Sequence, residues 1–135
     1  MATTTLGFVC VQNAGRSQMA TAFAERERDR RDREIDIVTG GTGPAESVHE
    51  GVVEAINEVG IDIADRTPRA VSSEELAACD VVATMGCSTL DLTGVDTRDW
   101  ALDDPDDADP ERVRKIRGQV RRRVRDLFDE QCGGD

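Results

Sequence analysis

Cys10 and the pair Arg16-Ser17 bracket a run of small and polar residues, Cys10-Val11-Gln12-Asn13-Ala14-Gly15-Arg16-Ser17. A thiol, a guanidinium and a hydroxyl at this spacing suit chemistry on a tetrahedral oxyanion. A short loop between a strand and a helix can wrap its backbone N–H groups around the anion. The helix that follows adds the partial positive charge of its N-terminus. Arg16 can grip two oxygens with its planar fork. The same field favours the thiolate of Cys10, and Ser17 can donate a hydrogen bond to the sulfur. Cys10 is then a nucleophile beneath a bound anion, with Val11 to Ser17 as its cradle. The plainer alternative makes Cys10 a core residue and Arg16 a surface one. No Gly-Lys-Ser/Thr follows the glycines, so a Walker-type nucleotide loop is not supported.

A thiolate that displaces an oxygen needs an acid for the leaving group. Asp104 is the candidate: Pro105 stiffens its loop, and Asp103, Asp106 and Asp107 around it disfavour ionisation. The same cluster also reads as a solvated acidic loop. His49, the single histidine, falls at a predicted helix start and reads as a surface cap residue. Cys10, Cys79, Cys87 and Cys132 suggest thiol chemistry more than a disulfide framework. Cys79 reads as core and Cys132 as a bystander in a Gly-rich tail. No cysteine pair has the short spacing of a zinc site, so no metal is expected.

The elements that must position these groups alternate strand and helix. Thr4–Val9 is an apolar run that predicts a buried strand. Ser17 can cap a helix with Met19, Ala20, Phe23 and Ala24 as its apolar stripe. Glu25–Glu34, where acids and bases alternate, continues it as a solvated end. Ile35–Val38 is a second strand, and 39–44 reads as a turn. Ser47 with Glu50 predicts a capping box for a helix ended by Gly60. Ser72 with Glu75 predicts another, for a short helix through Ala78. Asp80–Met85 is a third strand, and a fourth is expected near Arg98–Leu102. Asp109 caps a long helix with Pro110 at its first position and Val113, Ile116, Val120, Val124 and Leu127 as its stripe. Such alternation implies a parallel sheet with helices on both faces, which binds ligands at the carboxyl ends of its strands. Cys10 ends the first of them.

The chain has 135 residues and a formal net charge of −11, which fits one domain over residues 1–135. No apolar run approaches a membrane span, and Met1 to Cys10 has no basic leader region. A cytoplasmic protein is expected. The acidic balance argues against nucleic acid and anionic membranes as partners. The basic run Arg112–Arg125 reads as a solvated helix face that balances the acidic loop before it. Nearly all the basic residues are Arg, with Lys115 the single Lys, and Asp outnumbers Glu. This suits either a protein of a salty cytosol or GC-rich codon usage.

Val9-Cys10-Val-Gln-Asn13-Ala-Gly-Arg16-Ser17-Gln-Met-Ala20, followed in order by Gly40-Gly-Thr42, Asp80-Val-Val-Ala-Thr-Met85 and Trp100-Ala-Leu-Asp-Asp104-Pro105, resembles the low-molecular-weight protein-tyrosine-phosphatase superfamily. That superfamily includes the arsenate reductases. The resemblance covers nearly the whole chain. It implies an α/β fold, a four-stranded parallel sheet flanked by helices on both faces. It implies Cys10 as nucleophile, Arg16 as oxyanion clamp, Asn13 and Ser17 as supports, and Asp104 as general acid. The phosphatase branch generally follows its Asp-Pro with aromatics that wall the phosphotyrosine ring. Here Asp106 and Asp107 follow, the chain has no Tyr, and Phe8, Phe23 and Phe128 read as core. The arsenate-reductase branch is therefore expected, with a low-molecular-weight tyrosine phosphatase using a phosphocysteine as the alternative enzyme. A non-catalytic oxyanion or redox sensor is the alternative of another class.

Thioredoxin-coupled reductases carry two further cysteines after the third strand. This chain has Cys87 but no second Cys before Trp100. The second thiol is thus Cys87 or an external donor: thioredoxin, glutaredoxin or a low-molecular-weight thiol. No cofactor is expected beyond that reductant. Thr21 stands where relatives often have a Glu that helps bind potassium, a departure from that ion site.

Overall fold

A computed structural model describes residues 4–85, 94–100, 102, 105 and 108–131. Cys87, Asp104 and Cys132 lie outside the described residues. The elements in chain order are β1 (Thr4–Cys10), α1 (Arg16–Arg31), β2 (Ile35–Gly41), α2 (Glu50–Asn57), α3 (Ser73–Ala77), β3 (Val81–Met85), β4 (Asp96–Asp99) and α4 (Pro110–Gln131).

The four strands pair in parallel in the order β2-β1-β3-β4. The chain leaves β1 for one side of the sheet and later returns to the other, so strand order switches at the carboxyl end of β1. That is the position where parallel sheets of this kind open a crevice for ligands. Cys10 is the last residue of β1, in register with Gly41 on one side and Met85 on the other.

Side chains alternate across the sheet. Leu6, Phe8 and Cys10 join Val81, Ala83 and Met85 in one large cluster with α1, α2 and α4. Val9 and Val82 face the other way and pack with Leu76 and Cys79 around α3. Both faces are covered, as expected, but unequally: among the described residues α3 is the one helix on the second. The stripe Val113, Ile116, Val120, Val124 and Leu127 is buried as its spacing predicts, and Phe128 joins it. Asp109 caps α4 by accepting from the Arg112 amide at 2.8 Å. Both arms of the Ser72–Glu75 capping box are present. Gly60 stands just past α2 with φ +87°, and the Ile61 amide reaches back to the Ile56 carbonyl.

Several local expectations are overturned. Ser17 does not cap α1. The helix starts at Arg16 with Gly15 in the cap position and no side-chain cap; the Ser17 hydroxyl is engaged instead by Cys10 and the Asn13 side chain. Ser47 and Glu50 form no capping box; His49 takes the cap position of α2 without a side-chain bond there. Residues 39–41 belong to β2 rather than to a turn. β4 lies at 96–99 rather than 98–102, and Trp100 beyond it is buried against Phe8, ring centroids 5.9 Å apart. The acid–base run of α1 is not wholly solvated. Glu27 is buried and pairs with Arg30 and Arg31, and Arg31 also reaches Asp129 of α4. Arg98 pairs with Asp96 and Glu130, so the exposed edge strand carries charges that discourage edge-to-edge pairing. Among the described residues no helix is long and apolar enough to cross a membrane.

Candidate active site

The loop from Cys10 to Arg16 is held open from outside. Its carbonyls accept hydrogen bonds from the following chain: Cys10 O from the Thr42 amide (3.3 Å), Val11 O from Gly43 (2.8 Å), Gln12 O from Ala45 (2.9 Å) and Ala14 O from His49 (2.9 Å). The Asn13 carbonyl accepts from Gln18 Nε2 at 3.0 Å. A trans peptide points its N–H opposite to its C=O. Tethering these carbonyls therefore turns the amides of Val11 to Gly15 toward the inner side of the loop. The Asn13 amide reaches Cys10 Sγ at 3.2 Å, which puts the sulfur on that side.

Asn13 makes this path possible by adopting φ +52°, a left-handed conformation that Asn tolerates better than most residues. Gly41 makes it possible from β2. A methyl group on its Cα would sit 2.4 Å from the Val11 carbonyl oxygen and 3.0 Å from the Asn13 nitrogen. Only a residue without Cβ lets the end of β2 come this close.

Cys10 is buried, with a second polar neighbour in Ser17 Oγ at 2.8 Å. Asn13 Nδ2 lies 2.8 Å from Ser17 Oγ and 3.0 Å from Thr39 Oγ1. Thr39 in turn donates to the Phe8 carbonyl. The Asn13 main-chain amide and the Ser17 hydroxyl thus both lie against the sulfur. At Cys79, burial, with Asp80 and Glu75 nearby, pushes the thiol up, away from nucleophilic use. Its assignment to the core stands.

Arg16 opens α1 and is half-buried. Its Nη1 donates to the Leu102 carbonyl at 2.8 Å. Pro105 is buried, and a methyl group on Gly15 would sit 2.8 Å from Pro105 Cγ. The residues on either side of Asp104 thus touch the loop at Arg16 and at Gly15. His49 is also here rather than on an open surface: it is half-buried, and its Cδ2 would lie 3.4 Å from the same methyl.

The structure therefore brings together Cys10, Asn13, Arg16 and Ser17, with Val11 and Gln12 exposed at the lip and Ala14 and Gly15 buried. Sequence reasoning missed Thr39, Gly41, Gln18 and Arg69. Gln18 and Gly41 stand in segments that carry the family resemblance, but without a role of their own; Thr39 and Arg69 leave no local trace.

A family model described as low molecular weight phosphotyrosine protein phosphatase matches residues 5–132. A Halobacterium salinarum protein, provisionally named an arsenate reductase, is 65% identical over 132 residues, covering 95% of this chain and 93% of its own. A Synechocystis protein named glutaredoxin arsenate reductase is 34% identical over 126 residues, covering 90% and 93%. A solved structure described as an arsenate reductase in the phosphate-binding state is 30% identical and superposes with a TM-score of 0.78, covering 94% of this chain and 98% of its own.

Proposed function

The chain belongs to the low molecular weight phosphotyrosine protein phosphatase family, and from that premise we propose that it is an arsenate reductase. The observation that supports the chemistry is the sulfur of Cys10 beneath a loop of inward-turned amides, with the Asn13 amide and the Ser17 hydroxyl against it. What separates arsenate from an aryl phosphate is the fate of the aromatic side chains. The chain has three Phe, one Trp and no Tyr, and Phe8, Phe23, Phe128 and Trp100 are all buried in the core. No Phe, Tyr or Trp ring is left to wall a phenyl group. Arsenate, a bare tetrahedral oxyanion, needs none.

The reaction divides into two steps. Arsenate sits in the loop on the amides of Val11 to Gly15 and on the Arg16 fork. The Cys10 thiolate attacks arsenic; an S–As bond forms, an As–O bond breaks, and Asp104 protonates the departing oxygen to water. A second thiol then attacks the Cys10 sulfur. An S–S bond forms, the S–As bond breaks, and its electron pair stays on arsenic, which leaves as arsenite. Two thiols have lost two electrons and arsenic has gained them. The second thiol is Cys87 or an external donor such as glutaredoxin, thioredoxin or a low-molecular-weight thiol, and no bound cofactor is needed. A cytoplasmic setting, where thiols stay reduced, suits this cycle.

The test is arsenate turnover with thioredoxin, glutaredoxin and low-molecular-weight thiols compared side by side. Turnover by wild type, and none by Cys10→Ser, is the expected result. Undiminished reduction by Cys10→Ser sinks the scheme. Vigorous aryl-phosphate hydrolysis without arsenate reduction favours a tyrosine phosphatase, and anion binding with neither activity favours a sensor. Cys87→Ser abolishes turnover with small thiols only if Cys87 is the resolving thiol.

A further inference from the structure

The direction of the Ser17 hydroxyl is set by hydrogen bonds that begin outside the loop. The backbone amide of Arg69 lies 3.1 Å from Asn13 Oδ1. A backbone N–H can only donate, so the atom it meets must be the amide oxygen, which assigns the Asn13 side chain without ambiguity. Gln18 Nε2 donates to the same oxygen at 3.2 Å. Asn13 Nδ2 then faces the other way, one hydrogen toward Ser17 Oγ and one toward Thr39 Oγ1. Each hydroxyl keeps a single proton of its own. Thr39 gives its proton to the Phe8 carbonyl. When Cys10 is the thiolate nucleophile it has no proton to give, so across the 2.8 Å contact Ser17 Oγ is the donor and Cys10 Sγ the acceptor.

Arg69 is fixed at this point by both main chain and side chain. Ala70 bridges to Gly41, and the Gly41 amide donates to the Arg69 carbonyl at 2.9 Å. The guanidinium donates from Nη1 to the Thr39 carbonyl (2.7 Å) and from Nη2 to Glu75 Oε2 (2.8 Å). Glu75 is itself held by the Ser72 capping box of α3, and Arg69 beside it keeps its carboxyl below the usual range. The side chain therefore staples β2 to α3 on either side of its own amide.

We propose that Arg69 is a positioning residue for the nucleophile: by holding its amide against Asn13 Oδ1 and its guanidinium on Thr39, it aims the Ser17 hydroxyl at Cys10 Sγ. The inference rests on Cys10 being the nucleophile but not on arsenate being the substrate, so thiol reactivity is its readout.

The experiment compares Arg69→Ala, Arg69→Lys and Thr39→Val in the full chain. Alkylation of Cys10 by iodoacetamide is followed against pH by peptide-resolved mass spectrometry, alongside urea unfolding. Arg69→Ala and Thr39→Val each slow alkylation at neutral pH roughly three- to tenfold, the rate equivalent of one net hydrogen bond. They also move its pH profile to higher pH. Arg69→Lys recovers part of the loss, since it keeps the charge but not the fork. In a Ser17→Ala background Arg69→Ala adds nothing further. An unshifted profile for Arg69→Ala, or a full additional loss in the Ser17→Ala background, overturns the proposal. If Arg69→Ala does not fold, Arg69→Gln, which removes the guanidinium fork but keeps a long polar side chain, carries the same two outcomes. Should the chain fail to reduce arsenate while these alkylation effects hold, the substrate reading fails and the positioning role stands.

Discussion

Arg16 and Leu102 are joined by a hydrogen bond of 2.8 Å, from a guanidinium in the anion loop to a carbonyl two residues before Asp104. One side chain thus serves the loop and tethers the segment that supplies the proposed acid. Arg16→Lys keeps the charge but loses the planar fork that can span both tasks. It is expected to lower arsenate kcat/KM about a hundredfold, the scale of losing an oxyanion donor, and to weaken the protection of Cys10 by phosphate against alkylation. Unchanged kcat/KM would show that the clamp lies elsewhere.

Gly41 is the closest approach between β2 and the loop. Gly41→Ala forces its new carbon against main chain, 2.4 Å from the Val11 oxygen, which cannot swing aside as a side-chain tip would. We expect about 1–3 kcal/mol of destabilisation in urea together with loss of phosphate binding. Gly43→Ala is the control: nothing lies within 4 Å of the added carbon, and both properties should stay near wild type.

Glu27 sits buried on α1 between Arg30 and Arg31, while Arg31 also holds Asp129 and lies over the Phe128 ring, 5.8 Å from its centroid. Removing one partner of a buried pair strands the other charge. Glu27→Ala is expected to cost about 2–3 kcal/mol in chemical denaturation, with Cys10 alkylation unaffected. A neutral effect would mean that Asp129 alone satisfies Arg31.

Glu58 follows α2 and binds Arg114 and Arg117 of α4. Its hydrogen bonds to these two guanidinium groups lower its carboxyl from 4.5 to about 2. A carboxyl depressed in the folded state contributes stability above its unfolded value and loses it as pH falls through the folded one. Part of the acid destabilisation between about 4.5 and 2 therefore belongs to Glu58. Glu58→Gln should lower the melting temperature slightly at neutral pH, since the pair is exposed, and flatten its decline in that window so that the variant and wild-type curves converge at the acid end. A parallel curve would remove Glu58 from the acid response.

With a net charge of −11, self-repulsion is screened by salt. The melting temperature should rise with KCl, and arsenate turnover should survive or increase. Full stability and activity without added salt would leave codon usage as the explanation of the Arg-rich, Lys-poor composition.

The local features were legible without coordinates because their causes are local. An apolar strand, a loop of small residues and an apolar-striped helix place Cys10 at a strand end. The stripe of α4, its Asp109 cap and the Ser72–Glu75 box follow from periodicity and from side chains that satisfy helix-end amides a few residues away. What only the tertiary structure decided is which partner each polar group takes when several compete. Ser17 has the right chemistry to cap a helix, yet the buried sulfur of Cys10 and the side-chain Nδ2 of Asn13 both lie 2.8 Å from its hydroxyl and claim it. Arg69 meets Asn13 across 56 residues, and Glu27 becomes a core anion because α4 carries Asp129 against Arg31. Contacts at such separations depend on how the sheet and helices dock, and no spacing along the chain encodes them.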